Sequence, residues 1–470
     1  MNARWMPIII TTRFAILRKT KMETTLVLYA SPEHQNCMLP FAKFLANHRP
    51  SLPVVFISAV ELPIVDDAPS ITYRRLPPPA TLPTSTSDPV ALLFEIPRLS
   101  NPSLRQALLE ISEKSTIGAV VIDFFCSAAF EVTTSLNIPT YFFASSGGFA
   151  HCAFLFAATI DETVDGDLAD LNDFLEIPGC PPIHSSDFPK AQQFRKNNVY
   201  NHFVSAAVYA QKSAGVIVNS FEALENRAKE AMANDLLVPD APTPPAYFVG
   251  PFLSEYSGGG DECLRWLDSQ PTKSVVFLCF GRRGVISAEQ LKLMAIGLEN
   301  SGHRFLWTVR NPAGKGGGEP ELEALLPEGF QERTKGRGHV ISTWAPQRDV
   351  LSHESVGGFV THCGMVSVME AAAAGVPMIG WPLYAEQRMI RVFAVEEMKL
   401  ALPLEEAPGG VVTAVELERR IKELMESTAG RALRRRAAEM KKSAEAATRE
   451  NGSSVVALHR FITDVTMKKL

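Results

Sequence analysis

The chain has 470 residues, well past the ~250–300 at which a single hydrophobic core stops growing, so two domains are expected. Hydrophobic residues make up 46% and charged residues 21%, which excludes a disordered or collagen-like chain. The net charge of −5, from 46 Lys and Arg against 51 Asp and Glu, argues against nucleic acid as a partner and for a small molecule.

Residues 1–22 carry Arg4, Arg13, Arg18, Lys19 and Lys21 and no acid. They read as a disordered extension before a natural start at Met22, with a transit-like peptide as the other reading. Apolar, β-rich runs then alternate with helical patterns. In the first half, strands are expected at 24–30, 53–58, 119–123, 139–144 and 214–219. In the second half they are expected at 274–280, 303–309, 338–343, 356–361 and 376–381. Continuous apolar runs of this kind mean parallel strands covered on both faces, so the pattern is a doubly wound α/β sheet occurring twice. Proline-rich 239–245 and glycines 258–260 mark the break between the halves. Gly314 and Gly316–Gly318 read as an exposed loop. The tail from 414 to 466 reads as helical, with Arg434–Arg436 on a solvated face.

The seven cysteines are scattered, without a Cys-x-x-Cys pair, which suits a reducing compartment. No apolar run is long enough to span a bilayer, so no stable membrane insertion is expected. Neither a G-x-G-x-x-G after the first strand nor a P-loop is present, which weighs against a nicotinamide oxidoreductase or a P-loop NTPase. No Asp-x-Asp metal motif stands in the expected cleft, so no metal or other cofactor is expected.

Ligands of open α/β sheets bind at the carboxyl ends of the strands. His34 follows the first strand and Asp123 ends another, so both belong on a cleft rim. An imidazole titrates near neutrality and suits a general base, and a buried carboxylate can orient it. Taken alone, a histidine in such a place is more often structural. In the second half, 356–361 leads through His362-Cys363-Gly364 into a helical stretch that Ser367 is expected to begin. Free N–H groups at a helix start suit a diphosphate. Glu370 could accept from ribose hydroxyls, and Trp344 offers a flat face for a base. Each feature has a bland alternative: core packing for the Trp, an N-cap for the Ser.

The whole spacing of Trp344-Ala345-Pro346-Gln347, His353, Gly357-Gly358, His362-Cys363-Gly364, Ser367, Glu370, Trp381-Pro382 and Glu386-Gln387 resembles the signature of plant secondary-product UDP-glycosyltransferases. The resemblance extends from about residue 24. It includes Asp123-Phe124-Phe125-Cys126, Ile177-Pro178-Gly179, Gly250-Pro251, Trp266-Leu267-Asp268 and Phe280-Gly281. It implies the GT-B fold, two Rossmann-like parallel-sheet domains facing across a cleft. An acceptor-binding domain over 23–245 is expected, then a linker over 246–262 and a UDP-sugar domain over 263–450. A helix at 451–470 is expected to cross back onto the first domain.

The resemblance further implies that Trp344 stacks on uracil, Ala345 pairs with it through its backbone, and Gln347 lies on the nucleoside. Glu370 would take the ribose hydroxyls. His362, Gly364 and Ser367 would hold the diphosphate, and Glu386 and Gln387 would meet sugar hydroxyls. His34 stands eight and nine residues before Ala42-Lys43, the relation that the family's base histidine shows, and Asp123 would support it. Phe124, Phe125, Ser145 and Ser146 would line the acceptor pocket, the serines within reach of the donor sugar.

Three departures stand out. Met365-Val366 replace the usual Trp-Asn, removing a phosphate contact and altering the sugar pocket. Similar flavonoid 7-O-glucuronosyltransferases have an arginine at the Met365 position. Arg282-Arg283 follow Phe280-Gly281 at a place where most of the family has Ser, and a guanidinium there either binds diphosphate or carboxylate or merely covers surface. Ser31-Pro32-Glu33-His34 is shorter than the usual Gly-x-Gly-His loop, with Asn36 at the alternative base position.

The implied function is inverting transfer of glucuronate or glucose from a UDP-sugar to a flavonoid phenol, the 7-hydroxyl foremost, by a cytoplasmic monomer. UDP-glucose-dependent transfer to flavonoids or chalcones is the alternative within the class. An impaired binder of UDP-sugar or phenol is the alternative outside it.

Overall fold

The computed structural model describes residues 23–59, 69–79, 88–253, 261–312, 318–342 and 345–467. The expected extension, the linker glycines 258–260, Gly314, Gly316, Gly317 and Trp344 lie outside them.

The strands of the first half are β1 (Thr24–Ala30), β2 (Val54–Ser58), β3 (Ile71–Arg75), β4 (Thr116–Asp123), β5 (Thr140–Ala144), β6 (Phe174–Leu175), β7 (Ile183–His184), β8 (Gly215–Val218) and β9 (Ala246–Phe248). Those of the second half are β10 (Val275–Cys279), β11 (Arg304–Thr308), β12 (Gly338–Ile341), β13 (Val356–Thr361), β14 (Met378–Gly380) and β15 (Ala401–Pro403). One sheet runs β3-β2-β1-β4-β5-β8-β9 and the other β12-β11-β10-β13-β14-β15. Every pairing in both is parallel. This is the expected GT-B arrangement of two Rossmann-like parallel sheets.

The central strands are buried along nearly their whole length, as helices on both faces require. The strands that sequence pattern misses lie at edges or in a two-residue hairpin. In β3 only Ile71 is buried, and Arg74 and Arg75 give the edge its charge. β15 is three residues long and ends on Pro403, a residue that sheets confine to their edges.

Strand order reverses between β1 and β4 and again between β10 and β13. These are the topological switch points where a crevice opens. The final helix, Ser453–Met467, sets Leu458, Phe461 and Val465 against Leu26, Val121 and Phe143 of the first sheet. Phe461 meets Tyr141 edge-on at 5.1 Å between ring centroids. A single buried cluster runs from Val27 and Phe142 to Phe277 and Met365. Phe149 meets Phe393 across it at 5.0 Å.

The tail forms three helices, Ala414–Glu426, Thr428–Thr448 and Ser453–Met467. Its basic stretch is anchored to backbone rather than simply solvated. Arg434 donates to the Leu424 carbonyl at 2.7 Å and Arg436 to that of Met398 at 3.2 Å. None of the seven cysteines forms a disulfide. Among the described residues no helix is long and apolar enough to cross a membrane.

Candidate active site

The first crevice is built on two strand ends. β1 stops at Ala30, and Ser31-Pro32-Glu33 turns the chain into the helix Gln35–His48, with His34 at its N-cap. β4 stops at Asp123, whose carboxylate caps the short turn Phe124–Cys126. Oδ1 accepts the N–H of Phe125 at 2.7 Å and that of Cys126 at 3.3 Å, while Oδ2 accepts the N–H of Ser31. One fully buried carboxylate therefore ties the two strand ends together. His34 Nδ1 lies 3.5 Å from Asp123 Oδ1. The ring is 22% exposed, so the pair is reachable from the cleft. Asn36 is exposed on the following helix.

Each partner stabilises the other's charge. Burial alone would lower the His34 pKa, but the Asp123 carboxylate 3.5 Å away, with Glu386 and Glu33, raises it above the ordinary value. Burial alone would raise the Asp123 pKa, but His34 and the Ser31 N–H hold it below the carboxylate range.

Aromatic rings extend from this pair. Phe125 stacks on His34 at 4.9 Å. Phe94 of the helix Pro89–Leu99 meets Phe124 and Phe125 edge-on at 5.1 and 5.0 Å. Phe203 of Asn198–Gln211 meets Phe124 at 4.9 Å. Phe142, Phe143 and Phe149 are core.

The second crevice centres on His362, just after β13. Cys363 takes φ +64°, sparsely populated for a side-chain-bearing residue, and Gly364 then caps the helix Met365–Ala374. The helix thus begins two residues before Ser367, which sits in its first turn. An added Cβ at either Gly281 or Gly364 would stand 2.7 Å from His362 Nε2, so two glycines make room for this ring. Nδ1 has no hydrogen-bond partner, and burial pushes the pKa down to about 4. His362 is therefore a neutral donor or acceptor at pH 7, not a cation.

Gln347 Nε2 donates to Ser367 Oγ at 2.9 Å and to Glu370 Oε2 at 2.5 Å, joining three expected donor-site residues. Ala345 is buried. Met365 is buried and Val366 half-buried at the helix start. Gln387 turns its carbonyl into its own loop, accepting the N–H groups of Leu383 and Tyr384 at 2.9 and 3.0 Å, so only its amide nitrogen is left for a ligand.

The two crevices meet. Ser146 Oγ donates to Glu386 Oε1 at 2.9 Å across the cleft, with Ser145 buried beside it. Arg283 forms an ion pair with Glu33, next to His34. Arg282 is exposed, and its carbonyl accepts from Arg310. Its charge reaches Cys37 on the helix behind His34. Phe94 and Phe203 escape sequence reading, as does the pairing of Glu33 with Arg283. Only the charge of Glu33 beside the candidate base hints at its part. Among the described residues no group of three or more His, Cys, Asp or Glu is placed to hold a metal ion.

Residues 236–429 match the family model "UDP-glucoronosyl and UDP-glucosyl transferase". Baicalein 7-O-glucuronosyltransferase of Scutellaria baicalensis is 55% identical over 436 residues, covering 90% of this chain and 99% of that protein. Anthocyanidin 5,3-O-glucosyltransferase of a Rosa hybrid cultivar is 44% identical over 465 residues, covering 93% and 98%. The structure of Phytolacca americana UGT2 complexed with UDP-2fluoro-glucose and pterostilbene superposes with a TM-score of 0.83 at 34% identity, covering 94% of this chain and 100% of that one. With a paired His and Asp at one switch point, a helix start at the other, and relatives matched over nearly their full length, this chain belongs to the plant family 1 UDP-glycosyltransferases.

Proposed function

We propose that this protein transfers glucuronate or glucose, with inversion, from a UDP-sugar to a phenolic hydroxyl of a flavonoid, the 7-hydroxyl foremost. The observation that carries the reading is the His34–Asp123 pair at 3.5 Å, on the rim facing Glu386. The free ring nitrogen of His34 takes the phenolic proton while Asp123 steadies the imidazolium. The phenolate oxygen forms its bond to the anomeric carbon as the bond from that carbon to the UDP oxygen breaks. UDP leaves with the electron pair. N–H groups of the Gly364–Ser367 turn, a hydrogen bond from His362 and the Arg282 guanidinium receive its charge. Trp344 and the Ala345 backbone hold the base, Gln347 and Glu370 the ribose, and Glu386 with the Gln387 amide the sugar. An acidic phenol asks least of the base, and Phe124 and Phe125 offer a flat apolar wall for it.

A relative named for glucuronosyl transfer to baicalein supports glucuronate. Met365, unable to pair with a carboxylate, supports glucose, as does a relative named for glucosyl transfer. The division into an acceptor domain (23–245), linker (246–262), donor domain (263–450) and returning helix (451–470) belongs to the same reading. So do monomeric state, cytoplasmic location and independence of a metal or other cofactor. The test is incubation of protein starting at Met22 with apigenin and either UDP-glucuronate or UDP-glucose, products read by mass. A glucuronide or a glucoside decides the donor. No product with these or other phenols overturns the transferase reading.

A further inference from the structure

Glu225 takes part in none of the steps above, yet it is completely buried. Its Oε2 accepts the N–H of Phe149 at 2.6 Å, in the first turn of the helix Gly147–Leu155. Its Oε1 has no hydrogen-bond partner. Burial pushes the carboxyl pKa up, and the Ser220 side chain, then the N–H groups of Phe149 and Gly148 at the helix start, pull it back. A buried acid without a cation is costly to keep, and here the first N–H groups of a helix share its support with Ser220.

The turn it holds is the one that faces the donor side. Gly147 has φ +81°, and an added Cβ there would stand 2.6 Å from Glu225 Oε1 and 2.7 Å from Met365 Cε. Glu225 thus presses on this backbone from inside the first domain and Met365 presses from across the cleft. One residue earlier, Ser146 donates to Glu386. Residues 146–148 therefore join Glu225 to Glu386, which holds the sugar in the proposed reaction, and to Met365, which stands at the position that alters the sugar pocket. Gln347, Ser367 and Glu370 form their own hydrogen-bonded set at the nucleoside end.

We propose that Glu225 is a positioning residue for the donor sugar: it sets the place of the 145–148 turn, and through it the Ser146–Glu386 and Gly147–Met365 contacts. The inference rests on the transferase reading and on Glu386 and Met365 bordering the sugar. It makes Glu225 matter for the sugar and not for UDP.

Glu225→Asp keeps the charge but draws the carboxylate back from Phe149 by one methylene, whereas Glu225→Gln keeps the reach. The aspartate variant should raise KM for the UDP-sugar about tenfold, the worth of one buried hydrogen bond. Its Kd for UDP by calorimetry, its acceptor KM and its melting temperature should stay near wild type. The glutamine variant should restore the donor KM to within about twofold. Combined with Ser146→Ala, the aspartate change should add less than its separate effect, because both act through one turn. An unmoved donor KM, equal weakening of UDP and UDP-sugar, or full additivity overturns the proposal. If the aspartate variant fails to fold, the glutamine variant decides: a donor KM near wild type supports the proposal and a tenfold rise overturns it. A wild-type protein that turns over no UDP-sugar defeats the transferase reading itself, whereas active wild type with unmoved variants defeats only this inference.

Discussion

His34 and His362 stand on opposite sides of their sheets' switch points, His34 after β1 and His362 after β13, each just beyond the carboxyl end of a central strand. Their surroundings are opposite. His34 faces a buried carboxylate that ties two strand ends together, and its pKa is raised. His362 is enclosed by Gly281 and Gly364 with no carboxylate beside Nδ1, and its pKa falls to about 4. In the proposed reaction the same side chain is a proton acceptor in one crevice and a neutral hydrogen-bonding group in the other. The partner that the fold supplies decides the role, not the residue type.

The largest test of that contrast is His34→Ala. Turnover should fall by about 10²–10⁴-fold with UDP binding unchanged by calorimetry, the usual worth of a general base. Turnover near wild type would remove His34 as the base.

The pH profile sharpens the contrast. Only neutral His34 accepts a proton, so kcat/KM should fall on acidification with a limb above the ordinary 6.5. Asp123→Asn removes the charge that raises it and should move that limb downward while lowering kcat about 10²-fold or more. A limb that stays in place would mean that Asp123 does not set the histidine's basicity.

Stability separates the two histidines by sign. His34 has a raised pKa, so its contribution is complete below its unfolded value and fades as pH rises through the folded one. Asp123, depressed, contributes above its unfolded value and loses this as pH falls through the folded one. His362 stays neutral until about pH 4, so between 6.5 and 4 the unfolded chain takes the proton first and the fold weakens, by about 3 kcal/mol. Urea unfolding at pH 7.5 and 4.5 should show His362→Gln losing less stability on acidification than wild type. His151, pushed down to about 3 by burial, remains in both proteins and cancels in that comparison.

The smallest effect belongs to Arg283 and Glu33. The pair is partly solvated, so Arg283→Ala should cost less than about 1 kcal/mol, shrinking further in salt. Glu33→Gln should lower the His34 limb slightly, because Glu33 contributes least to the raised pKa among its named causes. A shift as large as that of Asp123→Asn would reverse the ranking of the two carboxylates.

Much of this was legible beforehand because it is local. A continuous apolar run such as Val356–Thr361 is buried on both faces wherever it sits, so its strand could be read. β3 and β15 could not, since an edge strand with one covered face lacks that pattern. The helix start at Met365 was displaced by two residues in the reading from Ser367. A capping glycine preceded by a left-handed Cys363 leaves no such signature.

The amino-acid sequence by itself determined the family, the doubly wound pattern in each half, and the placing of His34, Asp123, His362 and the Gly364–Ser367 turn at strand ends. These follow from residue type and spacing along a short stretch of chain. The family resemblance already implied that Asp123 supports His34; only the tertiary structure decided that Gln347 links Ser367 to Glu370, that Gln387 bends into its own loop, and that Glu225 lies beneath the turn bearing Ser146. Those relations join residues from separate elements, some from opposite sides of the cleft. Strand order and helix packing bring them together, and that packing, with the burial and charge that it imposes, is a property of the whole fold.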